Sequence, residues 1–148
     1  MEPITNIENI STHRFDTKIV VIIRSDLETW QKLNATAFLV SGVAGTSLDS
    51  IGEPYEDASG NGYLPMFREP VLVFGASCEE LRTAFERTKR REIDITLFTD
   101  QLFRTNHDEA NRAAVKAVGV DDLSLVGIAF RALRKDADKV VKGLKFHS

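Results

Sequence analysis

The chain has 148 residues, of which 43% are hydrophobic and 28% charged, and this composition predicts one folded globular domain over 1–148 rather than a disordered segment. The net charge is −3, with 9 acidic against 4 basic residues over 1–60 and 13 against 15 over 61–148. A dedicated nucleic-acid-binding protein carries a strong basic excess, so nucleic acid is not expected as a partner.

The first part of the chain predicts a strand followed by a helix. Residues 1–17 are polar and weakly patterned, which predicts a loose N-terminal arm. The β-branched run KIVVIIR over 18–24 is typical of a strand buried on both faces. Ser25 and Glu28 then have the spacing of a capping box. A helix is predicted over about 26–44, with an apolar face formed by Trp30, Leu33, Ala37, Val40 and Ala44.

A long polar segment follows the helix. Residues 45–62 are rich in Gly, Ser, Asp and Asn, and loops of this length in compact domains are often functional. The segment can be only a surface Ω-loop, or it can be a lid or a contact between subunits. Tyr55, Tyr63 and Phe67 would then supply an apolar surface for a partner.

The rest of the chain alternates strands and helices, and Ser77 with Glu80 forms a second predicted capping box. The predicted elements are an edge strand over 63–67, a core strand over 70–76, a surface helix over 77–92, a strand over 93–99, a helix after Asn106, a strand over 123–133 and a terminal helix over 135–146.

This alternation predicts an α/β fold, a three-layer sandwich with helices on both faces of a mainly parallel or mixed central sheet. In such folds ligands bind at the carboxyl ends of the strands. Here those ends carry the polar stretches 24–26, 75–77, 99–109 and 131–136.

Several features favour a cytoplasmic protein. Cys78 is the only cysteine, which excludes an internal disulfide and favours a reducing compartment. The N-terminal residues lack the pattern of a signal peptide. The longest strongly apolar run, residues 19–23, is too short for a bilayer, which needs about 20 residues, so no membrane partner is expected.

The stretch FRTNHDEANRAAV over 103–115 resembles a metal site at first sight. Consecutive helical residues diverge by about 100°, however, so His107, Asp108 and Glu109 point in different directions, and we expect neither a metal nor another cofactor. The start of a helix accounts for part of the stretch, with Asn106 as the N-cap and Glu109 in capping-box position.

The remaining polar residues of this region are the candidate site. Asp100 could orient His107 as a general base, because both lie on one connection between a strand and a helix. Thr105, Asn111 and Arg112 are candidate ligand-binding residues on the same connection. From the first helix, Asn34 and Lys32 are candidates that could face the same strand ends.

Four segments carry a family resemblance: KIVVIIRSDLETWQKLNATAFLVSG, IGEPYEDASGNGYLP, PVLVFGAS and LFTDQLFRTNHDEANRAAV. Together they resemble a bacterial family known as domain of unknown function 2000, over about 17–147. The resemblance implies an α/β sandwich similar to peptidyl-tRNA hydrolase II and no established activity. In that hydrolase the first strand ends in an R-x-D-L turn, which Arg24, Asp26 and Leu27 match.

Most of the hydrolase motif is missing. It continues with K-x-G-K-G-K and then a Gln and a His, whereas this chain has Glu28, Trp30, Gln31, Leu33, Ala37 and Val40 at those places. Lys32 is the only nearby base. Asp100 matches the motif's later Asp, and Thr105 is the best counterpart of its Thr, five residues on rather than four. Because the missing lysines would supply positive charge for a tRNA backbone, the hydrolase reaction is not expected here.

Three functions remain open from the sequence. The first is binding of a small molecule at the strand-end crevice by Asp100, Thr105, His107 and Asn111, with Asn34 as a further candidate. The second is a hydrolase or transferase that uses Asp100 and His107, with Lys32 nearby. The third is an oligomeric interaction module, with a homodimer formed through the segment 51–67.

Overall fold

The computed structural model of the protein describes residues 14–148, so most of the predicted N-terminal arm lies outside the described part. In chain order the elements are β1 (Thr17–Arg24), α1 (Thr29–Thr46), β2 (Tyr55–Glu56), β3 (Gly62–Tyr63), β4 (Val71–Ala76), α2 (Cys78–Arg90), β5 (Thr96–Thr99), α3 (Asp108–Lys116), β6 (Leu125–Leu133), α4 (Arg134–Val140) and β7 (Lys145–Phe146). Short 3₁₀ turns cover Leu48–Ser50, Asp100–Phe103 and Val120–Asp122.

Five strands form one mixed sheet in the order β5-β6-β1-β4-β7. β1 and β4 pair in parallel, while β6 with β1, β5 with β6 and β7 with β4 are antiparallel. The prediction of an α/β fold is thus confirmed, and of the two predicted kinds of sheet, mainly parallel or mixed, the protein has the mixed one. The β-branched residues of β1 explain its central place, because Ile19 to Ile23 are all buried.

The two faces of the sheet pack against different helices. On one face Val20 and Ile22 of β1 join a core that includes Leu81 of α2 and Val140 of α4. On the other face Val21 and the rest of the alternate residues pack against α1. The alternation of side chains along a strand therefore gives each helical layer its own core.

α1 differs from the prediction at both its start and its face. It begins at Thr29 rather than near residue 26, and its capping contact runs from the Glu28 backbone N–H to Gln31 Oε1 at 3.0 Å instead of from Ser25. The buried residues are Ala35, Leu39 and Val43. The predicted face was wrong because Trp30 and Leu33 lie on the exposed side. Apolar residues occur all around this helix, so periodicity alone could not select the buried stripe.

The contact between α1 and the sheet is close at Gly42. A Cβ at this position would collide with the Thr96 methyl group, so only glycine fits. Thr96 Oγ1 also donates a hydrogen bond to the Leu39 carbonyl at 2.8 Å. These two contacts fix α1 against β5.

The end of the chain also departs from the prediction. The predicted helix over 135–146 ends at Val140, and Lys145 and Phe146 form the edge strand β7 against β4. Phe146 stacks on Phe74 with ring centroids 4.7 Å apart. Cross-strand stacking of this kind stabilises an edge strand. The sequence over 135–146 does not indicate it, because the partner ring belongs to Phe74, far away in the chain.

The segment after α1 stays at the edge of the sheet where β1 begins. Arg131 of β6 binds Glu69 Oε1 at 2.7 Å and Asp49 Oδ1 at 2.9 Å, and the Thr17 hydroxyl donates to Glu69 Oε2 at 2.9 Å. We call these four residues the closed cluster. The predicted edge strand over 63–67 is wrong for the main sheet, because Gly62–Tyr63 pairs with Tyr55–Glu56 as a separate hairpin.

A single carboxylate organises the hairpin turn. Asp57 accepts hydrogen bonds from the Tyr63 hydroxyl at 2.7 Å and from the backbone N–H groups of Ser59 at 2.9 Å and Asn61 at 3.0 Å. The Tyr63 hydroxyl, and after it the Asn61 groups, lower the pKa of Asp57 from 3.8 to about 2. Gly60 supplies the left-handed turn residue with φ +88°.

Candidate functional site

The connections that follow β1 and β4 leave the sheet on opposite faces. β1 continues into α1 on one face, whereas β4 continues into α2 on the other. Since β1 and β4 are neighbouring parallel strands, their carboxyl ends flank a topological switch point, where open α/β sheets bind ligands.

A crevice of two adjoining clefts lies at this switch point. One cleft, of about 380 Å³, has a wall of mixed polarity that includes Ser25, Gly75, Glu80 and Lys145. The other, of about 530 Å³, has an apolar wall formed by Ile23, Leu33, Thr36, Ala37 and Val73, with Lys32 at its side. His147 and Ser148 belong to both clefts, and each volume lies within the range of small-molecule sites.

His147 stands between the two clefts because β7 is paired with β4. Its backbone N–H donates to the Val73 carbonyl at 2.9 Å, which extends the β7 ladder by one residue. The ring Nδ1 lies 2.8 Å from the Ser148 carbonyl, and because a carbonyl can only accept, Nδ1 carries the proton. In the neutral ring Nε2 is then an acceptor, and it is buried with no hydrogen-bond partner within residues 14–148.

Ser25 and Gly75 form the floor between the strand ends. The Ser25 hydroxyl donates to the Ala76 carbonyl at 3.2 Å, and its backbone N–H donates to the same oxygen at 2.9 Å. A Cβ on Gly75 would lie 3.1 Å from Ser25 Oγ and 3.4 Å from His147 Cδ2. Glycine at this position therefore keeps the floor of the crevice open between two polar side chains.

The charged side chains around the crevice differ in whether their hydrogen-bonding groups already have partners. Glu80 is held in the capping box of α2, where its carboxylate accepts from the Ser77 N–H at 2.9 Å, as predicted for that pair. Among residues 14–148, Lys32 Nζ reaches only the Ser25 carbonyl, at 3.5 Å. Lys32 thus brings to the crevice a positive charge that has no carboxylate among its hydrogen-bond partners in the described chain.

A second polar cluster lies beside the crevice at the ends of β1 and β5. Arg24 binds Asp26 at 3.0 Å and approaches Asp100 at 3.6 Å, and Asp100 also accepts from the Ser124 hydroxyl. The hydrogen bond to Asp26 raises the pKa of Arg24, and the same bond lowers the pKa of Asp26. The charges in this cluster largely satisfy one another.

His107 is placed differently from the predicted general base. It is exposed and is itself the N-cap of α3, with Nδ1 accepting from the Ala110 N–H at 3.2 Å, so the prediction of Asn106 as N-cap was wrong by one residue. That bond uses the ring nitrogen that a base would need. Asp100 and His107 share no hydrogen bond in the described structure, and their catalytic pairing stays a prediction.

The other predicted site residues lie outside this crevice, and Asn111 and Arg112 line a separate cleft together. Thr105 and Asn111 bind each other through their side chains, and Arg112 pairs with Asp108 on the exposed side of α3. Asn34 is exposed on α1. Of the predicted ligand-binding residues, only Lys32 lines the crevice at β1 and β4.

Sequence reasoning missed His147, Gly75 and Ser25. His147 lies in a segment predicted to follow a helix, and its role depends on a ladder between residues more than 70 positions apart. A usable signal was the position of Ser25 and Gly75 just at the two strand ends, which the polar stretches 24–26 and 75–77 already marked.

Residues 14–148 contain neither a metal-binding group of side chains nor a membrane-spanning helix. Within this range no group of three or more His, Cys, Asp or Glu side chains is arranged to hold a metal ion. No helix in the same range is both long and apolar enough to cross a membrane.

Fold and crevice define an α/β protein with a mixed five-stranded sheet and a strand-end site. Residues 17–148 match the family model described as Protein of unknown function (DUF2000), and the chain belongs to that family. It is similar to a solved protein of unknown function from Agrobacterium tumefaciens strain C58, with 45% identity and a TM-score of 0.88 over 91% of this chain and 100% of that one. No curated protein matches the chain.

Proposed function

We propose that the protein binds a small molecule in the crevice at the carboxyl ends of β1 and β4. The observation that carries the proposal is His147, whose buried Nε2 is an acceptor without a partner in the described chain. Buried polar atoms are nearly always hydrogen-bonded, so such an atom at the junction of two clefts suits a ligand that donates a hydrogen bond. We place the protein in the cytoplasm, as its single cysteine favours.

Lys32 supports the same location and suggests the form of the ligand. It brings a cation to a cleft whose wall is otherwise formed largely by Ile23, Leu33, Ala37 and Val73. A molecule with an apolar part and a polar end that carries an O–H or N–H group would satisfy both sides. The hairpin segment 51–67 contributes no residue to either cleft.

The test is a thermal-shift screen of the protein against small polar metabolites, followed by calorimetric titration of each hit. We expect hits that raise the melting temperature of the wild-type chain and bind at least tenfold more weakly to Lys32→Met and His147→Leu. Lys139→Met, which is exposed on α4 and lines neither cleft, is the matched control and should bind normally. Hits that bind both crevice variants as tightly as wild type would refute the proposed location.

Acid–base catalysis is the second candidate, in the class of hydrolases and transferases. Its support is the same His147 ring, whose buried Nε2 has no partner in the described chain and which lies across Gly75 from Ser25. The alternative base is His107 with Asp100, the pair predicted from the sequence. If turnover of any hit is found, loss of turnover in His147→Leu with retention in His107→Asn would assign the base to the crevice, and the reverse result would assign it to α3.

The resemblance to the peptidyl-tRNA hydrolase II scaffold belongs to this proposal as well. Its support is the match of Arg24, Asp26 and Leu27 to the R-x-D-L turn and of Asp100 to the later Asp. Lys32 is the one base in the region of the missing lysine motif. We therefore propose a related scaffold without the hydrolase reaction, and steady cleavage of a peptidyl-tRNA by the purified protein would contradict it.

A further inference from the structure

Another cleft, of about 650 Å³, lies at the end of the sheet opposite the crevice. β5 begins at Thr96, which pairs with Ala129, whereas β6 continues to Leu133. Residues 130–133 therefore have β1 on one side and no strand of the described chain on the other. The cleft opens in this gap between the end of α1, the connection 91–95 and the start of α4, and its volume is within the range of small-molecule sites.

Apolar side chains form the floor of this cleft on the side of α2 and α4. Phe130 is buried there, and the partly buried Ile93, Ile95 and Ala132 pack against the same core. An aliphatic chain that lies on this floor removes apolar surface from water, which favours its binding. The floor therefore suits a ligand with a short hydrocarbon stem.

Two opposite charges line this cleft without pairing. Arg91, at the end of α2, and Asp136, in the first turn of α4, are both half-buried. Within residues 14–148 neither side chain has a hydrogen bond or an ion pair, with the other or with a third residue. Arg131, the second arginine of the wall, is already bound by Glu69 and Asp49. Partly desolvated charges without partners are unfavourable, so Arg91 and Asp136 suit a ligand that brings an opposite charge to each.

Glu92 adds a carboxylate to the rim of the cleft in an unfavourable backbone conformation. Its φ of +53° lies in the left-handed region, which favours glycine at the residue that follows the end of a helix. Asp94 is a further exposed carboxylate of the rim, also without an ion pair in the described chain. Within residues 14–148 the unpaired charges of the wall are thus one cation, that of Arg91, and three carboxylates.

We propose that this cleft is a second binding site, which takes a free basic amino acid of the lysine type. The carboxylate of the ligand binds the guanidinium of Arg91, whose planar fork matches a carboxylate. The two ammonium groups bind Asp136 and Glu92, and the aliphatic stem lies on Ile93 and Ile95. A neutral amino acid would leave part of the acidic wall without a partner, and a diamine would leave Arg91 without one. The site shares no residue with the crevice at β1 and β4.

The first experiment compares three probes on the wild-type chain by calorimetric titration. Lysine carries all three charged groups, norleucine lacks the side-chain ammonium group, and 1,5-diaminopentane lacks the carboxylate. We expect lysine to bind at least tenfold more tightly than either of the other two, because a hydrogen bond to a charged group contributes about 1.5–3 kcal/mol, which is a factor of about ten or more. Equal binding of the three probes, or no binding of lysine at about 10 mM, would overturn the proposal.

The second experiment locates the site with variants whose fold is checked by circular dichroism. Arg91→Met and Asp136→Asn should each weaken lysine binding at least tenfold, and Arg91→Met should also abolish the preference for lysine over 1,5-diaminopentane. Arg90→Met is the matched control, because Arg90 is exposed beside Arg91 and lies outside the cleft. His147→Leu, in the crevice, should also bind lysine normally. Lysine binding that survives both cleft variants, or that is lost in His147→Leu, would overturn the proposal.

The third experiment separates a binding role of Glu92 from a structural one. In Glu92→Gly the positive φ is no longer strained, so the midpoint of urea denaturation should rise. The same variant should bind lysine more weakly, because one carboxylate of the site is lost. A higher midpoint together with weaker binding supports the proposal, since a purely structural residue would not change the two quantities in opposite directions. Lysine binding as tight as that of the wild-type chain would overturn the assignment of Glu92 to the site.

Discussion

The two ends of β1 are built from similar residue types but are completed in opposite ways. At the end where β1 begins, the closed cluster joins Thr17, Asp49, Glu69 and Arg131, and every charged group has a partner of opposite charge or a hydroxyl. At the end where β1 stops, His147 has a buried acceptor without a partner in the described chain, and Lys32 reaches only a carbonyl. The first arrangement stabilises the fold, and the second keeps polar groups available for a ligand.

The largest expected effect tests the closed cluster. Arg131→Met would leave the Glu69 carboxylate, whose side chain is only 3% exposed, with a hydroxyl in place of its cation. Removing one partner of a buried ion pair costs about 3–5 kcal/mol, and we expect a loss near the lower end in the free energy of unfolding measured by urea denaturation. The double variant Arg131→Met with Glu69→Leu should recover much of the loss. A cost below about 1 kcal/mol for the single variant would show that the cluster is not a stabilising element.

A smaller effect is expected at Gly75, on the floor of the crevice. Gly75→Ala brings a methyl group to 3.1 Å from Ser25 Oγ, which both side chains can accommodate by small shifts. The unfolding free energy should change by less than about 1 kcal/mol, since alanine also restricts the unfolded chain. Binding of a crevice ligand should weaken at least tenfold in calorimetric titration. Unchanged binding would place the ligand away from this floor.

His147→Leu should change stability least among the buried variants. It removes an acceptor that has no partner in the described chain and a ring N–H that donates only to the exposed Ser148 carbonyl there, so the unfolding free energy should stay within about 1 kcal/mol of wild type. Urea denaturation of this variant beside Arg131→Met compares the two ends of β1 directly. A loss of 3 kcal/mol or more would mean that His147 has a structural role like that of the closed cluster.

The smallest effect concerns the pH response of the hairpin. The pKa of Asp57 is lowered from 3.8 to about 2, so its contribution to hairpin stability is complete above about pH 3.8 and is lost as the pH falls through about 2. NMR titration of the Asp57 carboxyl should give a midpoint near 2, and Tyr63→Phe should move it upward. A midpoint near 3.8 in the wild-type chain would contradict the hydrogen bonds of the turn.

Local signals predicted the parts of the fold that depend on neighbours in sequence. The β-branched run of β1 and the Ser77 and Glu80 capping box of α2 were both found where the sequence placed them. The prediction of the buried face of α1 was wrong because the helix has apolar residues all around it. Contacts with β5 and β6 select the face that is buried. The strand β7 was missed for the same reason, since only pairing with β4 makes it a strand.

For the site, the sequence located the sheet edge but not the residues. The rule that ligands bind at strand carboxyl ends pointed to the stretches 24–26 and 75–77, which do flank the crevice. It could not choose between this position and the end of β5, because the switch point depends on which face each helix covers. Attention to His107 followed from its polar neighbours, whereas His147 is brought to the crevice by chain pairing alone.

The contact of Gly42 with Thr96 has a consequence for how uniquely the chain folds. A helix that is apolar all around could rest on the sheet in several rotational settings of similar energy, and such near-degenerate packings are what a well-folded sequence must avoid. The close approach at Gly42 and the hydrogen bond from Thr96 to Leu39 are satisfied in only one setting. Gly42 thereby determines which residues of α1 form the core, which border the crevice and which face outward. A bulkier residue at this position would disturb the conformational specificity of the fold more than it would reduce the burial of apolar surface.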